Sequence, residues 1–93
     1  MTDLLRVACV QMTSGPDKAA NLETAERLVA RAAATGADLV ALPEKWNAIG
    51  TTEQLHAAAE PLEGGESVEA MADWARRHGI TLVGGSVDRK SVV

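Results

Sequence analysis

The run Asp-Leu-Val-Ala-Leu at residues 38–42, closed by Pro43, constrains this chain more than any other feature. Its apolar residues do not alternate with polar ones, so the strand they predict has no face to give to water. Such strands belong inside parallel sheets covered on both sides. Pro43 has no N–H to donate to a neighbouring strand and ends the ladder. The next residue is Glu44, so a carboxylate leaves the chain just where a buried strand stops. In open parallel sheets, ligands bind immediately beyond the carboxyl ends of the strands, so Glu44 either meets a ligand there or merely begins a surface loop and pairs with a neighbour such as Lys45.

A parallel strand needs crossovers, and the flanking sequence supplies them. Residues 4–12, LLRVACVQM, predict a first strand with Val7-Ala8-Cys9-Val10 as its buried centre. Turn chemistry at Thr13–Pro16 follows, then Asp17 as a helix cap. Leu22, Ala25, Leu28, Val29, Ala32 and Ala33 recur at helical spacing, with Glu23, Arg27 and Arg31 on the opposite face and Gly36 as the stop. Beyond Pro43, residues 52–60 predict a short helix opened by Thr51 or Thr52 and closed by Pro61. Residues 62–66, LEGGE, form a loop. Ser67 caps a second full helix with Val68, Met71, Ala72 and Ala75 inside and Gly79 as its stop. A last strand, ITLVGGSV, occupies residues 80–87. The order is β-α-β-(short α)-α-β, an α/β fold with two right-handed crossovers onto a mostly parallel sheet.

The chain shows no repeat, low-complexity segment or internal domain boundary, so residues 1–93 form one unit. That unit is expected to be incomplete. Strands buried on both faces need two covering layers, and two crossover helices fill only one of them well. Asp88–Val93 offer no further helix. The sequence therefore predicts a chain that stops inside its fold, a partial domain.

Composition removes several function classes. A hydrophobic content of 46% excludes a disordered chain. Two tryptophans are the only aromatic residues and the net charge is −4, which together exclude a nucleic-acid stacking surface or a polyanion partner. One cysteine allows no internal disulfide, and no Cys/His cluster has metal spacing, so neither a metal nor a cofactor is expected. Asp3 and Arg6 interrupt the N-terminal apolar run, and no stretch is long enough to span a bilayer. A cytoplasmic protein with no membrane partner is the expectation.

Nearly the whole length resembles the N-terminal portion of the carbon–nitrogen hydrolase (nitrilase/amidase) superfamily. RVACVQM resembles its first strand, and NLETAERLVARAAATGADLVALPE its first helix, second strand and glutamate. AEPLEGGESVEAMADWARRHGITLVGGSV resembles its second helix and third strand. GADLVALPE is the specific part. The resemblance implies the N-terminal part of an αββα sandwich that hydrolyses non-peptide C–N bonds in a small-molecule amide or nitrile. It also implies a Glu-Lys-Cys mechanism: the glutamate as general base, the lysine holding the oxyanion, the cysteine forming a covalent intermediate. Only the glutamate maps, onto Glu44. The family's lysine and cysteine lie downstream of the third strand, so these 93 residues alone are expected to be inactive. A homo-oligomer is open for the full-length parent.

Other residues carry weaker signals. Trp46 matches a position that is commonly aromatic in the family, and either lines the substrate-binding rim of the pocket or packs inside. Lys45, as the chain neighbour of Glu44, points the other way. Cys9 lies mid-strand with no helix N-terminus or basic neighbour to activate it, and reads as a buried inert thiol. His56 and His78 read as helix-surface residues. Gly84-Gly85 lacks a phosphate-loop pattern and reads as close backbone packing. Met12, Met71 and Trp74 read as core or edge residues. The alternative to an enzyme fragment is a small non-catalytic α/β module that holds a ligand or partner at the same strand ends. A nucleotide-binding half-domain ranks lower, because the glycine pattern is absent.

Overall fold

A computed structural model describes residues 4–61 and 63–85. Their order is β1 (Val7–Cys9), α1 (Lys18–Ala34), β2 (Leu39–Leu42), α2 (Thr52–Ala58), α3 (Glu66–His78) and β3 (Thr81–Gly84). The strands form one sheet in the order β1-β2-β3. Both pairings are parallel, with Val7 opposite Leu39 and Leu42 opposite Gly84. The α/β class and the parallel order follow the sequence expectation. The outer strands are shorter than expected, and the predicted continuation of β3 through Ser86 and Val87 lies outside the described residues, as does the polar turn from Asp88.

Local chemistry sets the helix ends. Asp17 caps α1 by accepting from the Ala20 amide at 3.2 Å. At the other end the Gly36 amide returns to Ala33 O at 3.0 Å and the Ala37 amide to Ala32 O at 3.4 Å, the paired closure that turns a helix into the next strand. Thr51 and Gln54 form a reciprocal capping box on α2. Gly79, with φ of 62°, ends α3 where the sequence placed its stop.

The start of α3 corrects an expectation. Its cap is Gly65, not Ser67, and Ser67 lies inside the helix with its side chain buried. A Cβ on Gly65 would lie 2.8 Å from Glu60 Oε1 and overlap the Pro61 carbonyl, so the glycine is needed there for room. Ser67 was freed from capping because a buried carboxylate claims it, as described below.

Both long helices pack on one face of the sheet and against each other. Val40 and Leu42 of β2 enter a core with Ala25, Val29, Trp46 and Trp74, flanked by Ala8, Val10, Leu82 and Met71. Within α3, Trp74 takes the buried place and the expected inner residue Ala72 is exposed. On the solvent side, Arg77 bridges Asp73 and Glu26 and so links α3 to α1, a contribution that solvent screening keeps small.

The opposite face of the sheet has no covering element among the described residues. Val7 is 55% exposed and Val83 49%. Cys9 is exposed too. The buried centre expected for β1 is therefore corrected: Ala8 and Val10 face the helices, while Val7 and Cys9 alternate onto the open face. The alternation is ordinary strand geometry. An open second face is what a partial domain predicts; which residues of β1 would line it is what the sequence did not resolve.

Candidate active site

The central strand delivers its end into a dense polar cluster. After Leu42 and Pro43 come Glu44 and Lys45, both exposed, then Trp46, Asn47 and Ala48, all buried. The switch happens through Lys45, whose φ of 50° is left-handed and uncommon for a residue with a side chain. The chain thus turns sharply between an exposed carboxylate and a buried indole.

Glu44 lies immediately past the carboxyl end of β2, the middle strand of the three, where the sequence placed it. Gly85 backs this position from the end of β3. A Cβ there would overlap the Pro43 carbonyl oxygen and lie 2.9 Å from the Glu44 amide nitrogen, at a φ of 37°. Only glycine lets the two strand ends come so close. The close-packing expectation for Gly84-Gly85 matches this geometry, with Gly84 set against Met71.

Trp46 lies inside rather than on a rim. It is fully buried, its ring centroid is 5.8 Å from that of Trp74, and the planes are tilted by 55°. That spacing is favourable for aromatic pairs. Its Nε1–H is buried with no protein acceptor among the described residues. Its carbonyl accepts from Ser14 Oγ at 2.6 Å. The alternative of plain packing is the one this placement fits, because the turn at Lys45 drives the indole towards the helices.

Asn47 is held at both ends. Its carbonyl accepts from Asn21 Nδ2 at 2.8 Å, and its own Nδ2 donates to Ser67 Oγ at 3.1 Å and Glu60 Oε2 at 3.4 Å. Asn21 also grips the Gly15 backbone, accepting from its amide at 3.1 Å and donating to its carbonyl at 2.7 Å. Two residues further along, the Ile49 amide donates to Gly15 O at 2.9 Å.

Glu60 is the hub. Its side chain is only 4% exposed, yet it receives Lys18 Nζ at 3.0 Å, the Ser67 amide at 2.7 Å and Ser67 Oγ at 2.5 Å. Burial alone would push its carboxyl above the usual range. The hydrogen bonds from the Ser67 hydroxyl and amide, together with Lys18, outweigh burial and hold it below its ordinary value of 4.5. The carboxylate is therefore ionised and fully engaged.

Sequence reasoning missed Glu60, Asn47, Asn21, Ser67 and Lys18. One signal was available. Asn21, Ala25 and Val29 follow each other at four-residue spacing and are all buried. A polar residue on an apolar stripe must have partners, and Asn21 points to them. Cys9 is not brought near Glu44. It pairs in register with Ala41, three residues before Glu44, so about 10 Å of strand separates them along the sheet. Among the described residues no group of three or more His, Cys, Asp or Glu converges as a metal site would require, and no helix is long and apolar enough to cross a membrane.

Residues 6–92 match the model of the carbon-nitrogen hydrolase family. The omega-amidase NIT2 of Xenopus tropicalis is 40% identical over 82 residues, covering 88% of this chain and 29% of that protein. The deaminated glutathione amidase of Homo sapiens is 42% identical over 90 residues, 94% of this chain and 27% of that protein. The omega-amidase NIT3 of Saccharomyces cerevisiae is 37% identical over 93 residues, 94% of this chain and 32% of that protein. The chain thus spans about a third or less of the length of these curated relatives.

Proposed function

The chain belongs to the carbon–nitrogen hydrolase family, and from that premise we propose that it forms the N-terminal part of an amidase with Glu44 as general base. One observation carries the assignment: Glu44 stands at the open carboxyl end of the central parallel strand, fixed from behind by Pro43 and Gly85. A base needs a defined position, and this one is set by Pro43 before it and by the close approach of Gly85 beside it.

In the proposed reaction Glu44 takes the proton of a cysteine thiol while the sulfur attacks the amide carbonyl. A lysine stabilises the resulting oxyanion. The C–N bond then breaks, the amine leaves with the proton held by Glu44, and a thioester remains. Glu44 next removes a proton from water, whose oxygen adds to the thioester carbonyl and expels the thiolate to give the acid, and Glu44 returns that proton to the sulfur. We place the lysine and the cysteine in sequence beyond Val93, as the greater length of the relatives suggests. The same sequence would supply a second sheet to the face that bears Val7 and Val83, making the αββα sandwich. The names of the relatives favour a small-molecule amide over a nitrile as substrate.

The test uses the complete enzyme encoded by the extended reading frame. Glu44→Gln should keep the thermal melt and lower amide hydrolysis, followed as released ammonia, by about 10²–10⁴-fold. Near-normal turnover by the variant would refute the role.

A further inference from the structure

A buried carboxylate costs several kcal/mol in desolvation and is a weak source of net stability even when paired. Glu60 therefore calls for an explanation beyond holding the fold together. Its donors come from three separate places: the start of α1 through Lys18, the loop after β2 through Asn47, and the first turn of α3 through Ser67. The middle one is the loop that carries Glu44.

That loop also contains the unfavourable backbone of Lys45, next to Glu44. A left-handed residue with a side chain persists only where its surroundings hold it. Asn47, two residues beyond Lys45, is one anchor of this loop beside the bonded carbonyl of Trp46, and Glu60 with Ser67 fixes the Asn47 side chain. We propose that Glu60 is a positioning residue for Glu44, clamping the loop through Asn47 so that the carboxylate stays presented at the end of β2. This rests on the assignment of Glu44 as the base. Glu60 itself is buried, and its carboxylate is taken up by Lys18, Asn47 and Ser67.

Glu60→Gln is the sharp variant. The amide keeps the shape but turns one acceptor oxygen into a donor facing Lys18 and Asn47. In the complete enzyme it should lower kcat about 100-fold, since displacement of a reacting group by about 1 Å has that effect. KM should stay within about threefold, because no substrate contact is lost. Glu60→Asp, which keeps the charge, should recover part of kcat. Hydrogen exchange at the Ile49 amide, bonded to Gly15 O, should quicken at least about tenfold in Glu60→Gln while the interior of α1 stays protected. If Glu60→Gln does not fold, Ser67→Ala cuts one leg of the clamp and should show the same changes at smaller size. A folded variant with normal kcat, or a loss matched by uniform loss of protection, overturns the proposal. If Glu44→Gln keeps its turnover, the base assignment falls, and Ile49 exchange alone decides whether Glu60 anchors the loop.

Discussion

Leu42 and Val83 are apolar residues near the ends of neighbouring strands, yet Leu42 is 5% exposed and Val83 49%. The first leads into a loop in which Trp46, Asn47 and Ile49 are each tied to another segment. The second stands on a face that nothing in the described chain covers. The chain has concentrated its specific interactions at the carboxyl end of the sheet and left generic apolar surface on one face. The loop that follows Glu44, the proposed base, is fixed by specific contacts. The open face needs only a complementary apolar partner, which any well-shaped second layer can provide.

The largest contrast should appear on truncating one side chain from each region. Trp46→Ala removes an indole packed on Trp74 and should cost about 3–5 kcal/mol, a large part of the stability of a domain this size. Val83→Ala should change stability by no more than about 0.5 kcal/mol. Urea unfolding followed by circular dichroism measures both. Trp46→Phe should be much milder than Trp46→Ala, because it keeps a ring and removes an Nε1–H that has no acceptor among the described residues. Equal losses at Trp46 and Val83 would mean that the open face is covered in solution.

A smaller effect should come with acid. Glu60 has a carboxyl pKa below its ordinary value, so it stabilises the fold fully above about 4.5, and this contribution is lost as pH falls through the lower folded value. Wild-type stability should therefore drop with acid more steeply than that of Glu60→Gln, whose deficit is largest near neutrality. Thermal melts at a series of pH values from neutral to below 4 give the comparison. Parallel curves for the two proteins would show that Glu60 is not ionised and engaged as its hydrogen bonds indicate.

The two regions also differ in how far the sequence revealed them. DLVALPE fixed the central strand and its end, because proline chemistry and apolar patterning act over a few residues, whereas the role of Glu44 came from the family resemblance. Gly79 was legible for the same reason, and the cap of α2 was narrowed to Thr51 or Thr52, of which the helix uses Thr51. The Glu60 clamp was not, since Lys18 and Glu60 meet across 42 positions of chain and no local pattern joins them. Ser67 was misread for a related reason: a serine near a helix start satisfies the capping rule, and only the fold shows that Glu60 takes its hydroxyl. An open face was expected of a partial domain, but its assignment to Val7 and Cys9 escaped, because Val7 to Val10 are all apolar or small and read together as one buried centre.

Cys9 offers the finest probe of that last distinction. It lies on the open face with Val7, opposite Ala41 in the register. In the 93-residue chain it is exposed, so iodoacetamide should label it at the rate of an unhindered thiol. In the complete enzyme the proposed second sheet would cover it, and labelling should slow by at least about tenfold, with protection following the stability of the whole domain. Cys9→Ala should accordingly be worth under about 0.5 kcal/mol in the short chain and about 1 kcal/mol in the complete enzyme, where it becomes a core position. Turnover should survive the change, because β1 holds the sulfur well below the strand ends where Glu44 stands. Equal labelling in both proteins would put the second sheet elsewhere. Loss of turnover in Cys9→Ala with the melt intact would make Cys9 itself part of the chemistry and undo the division between the two regions.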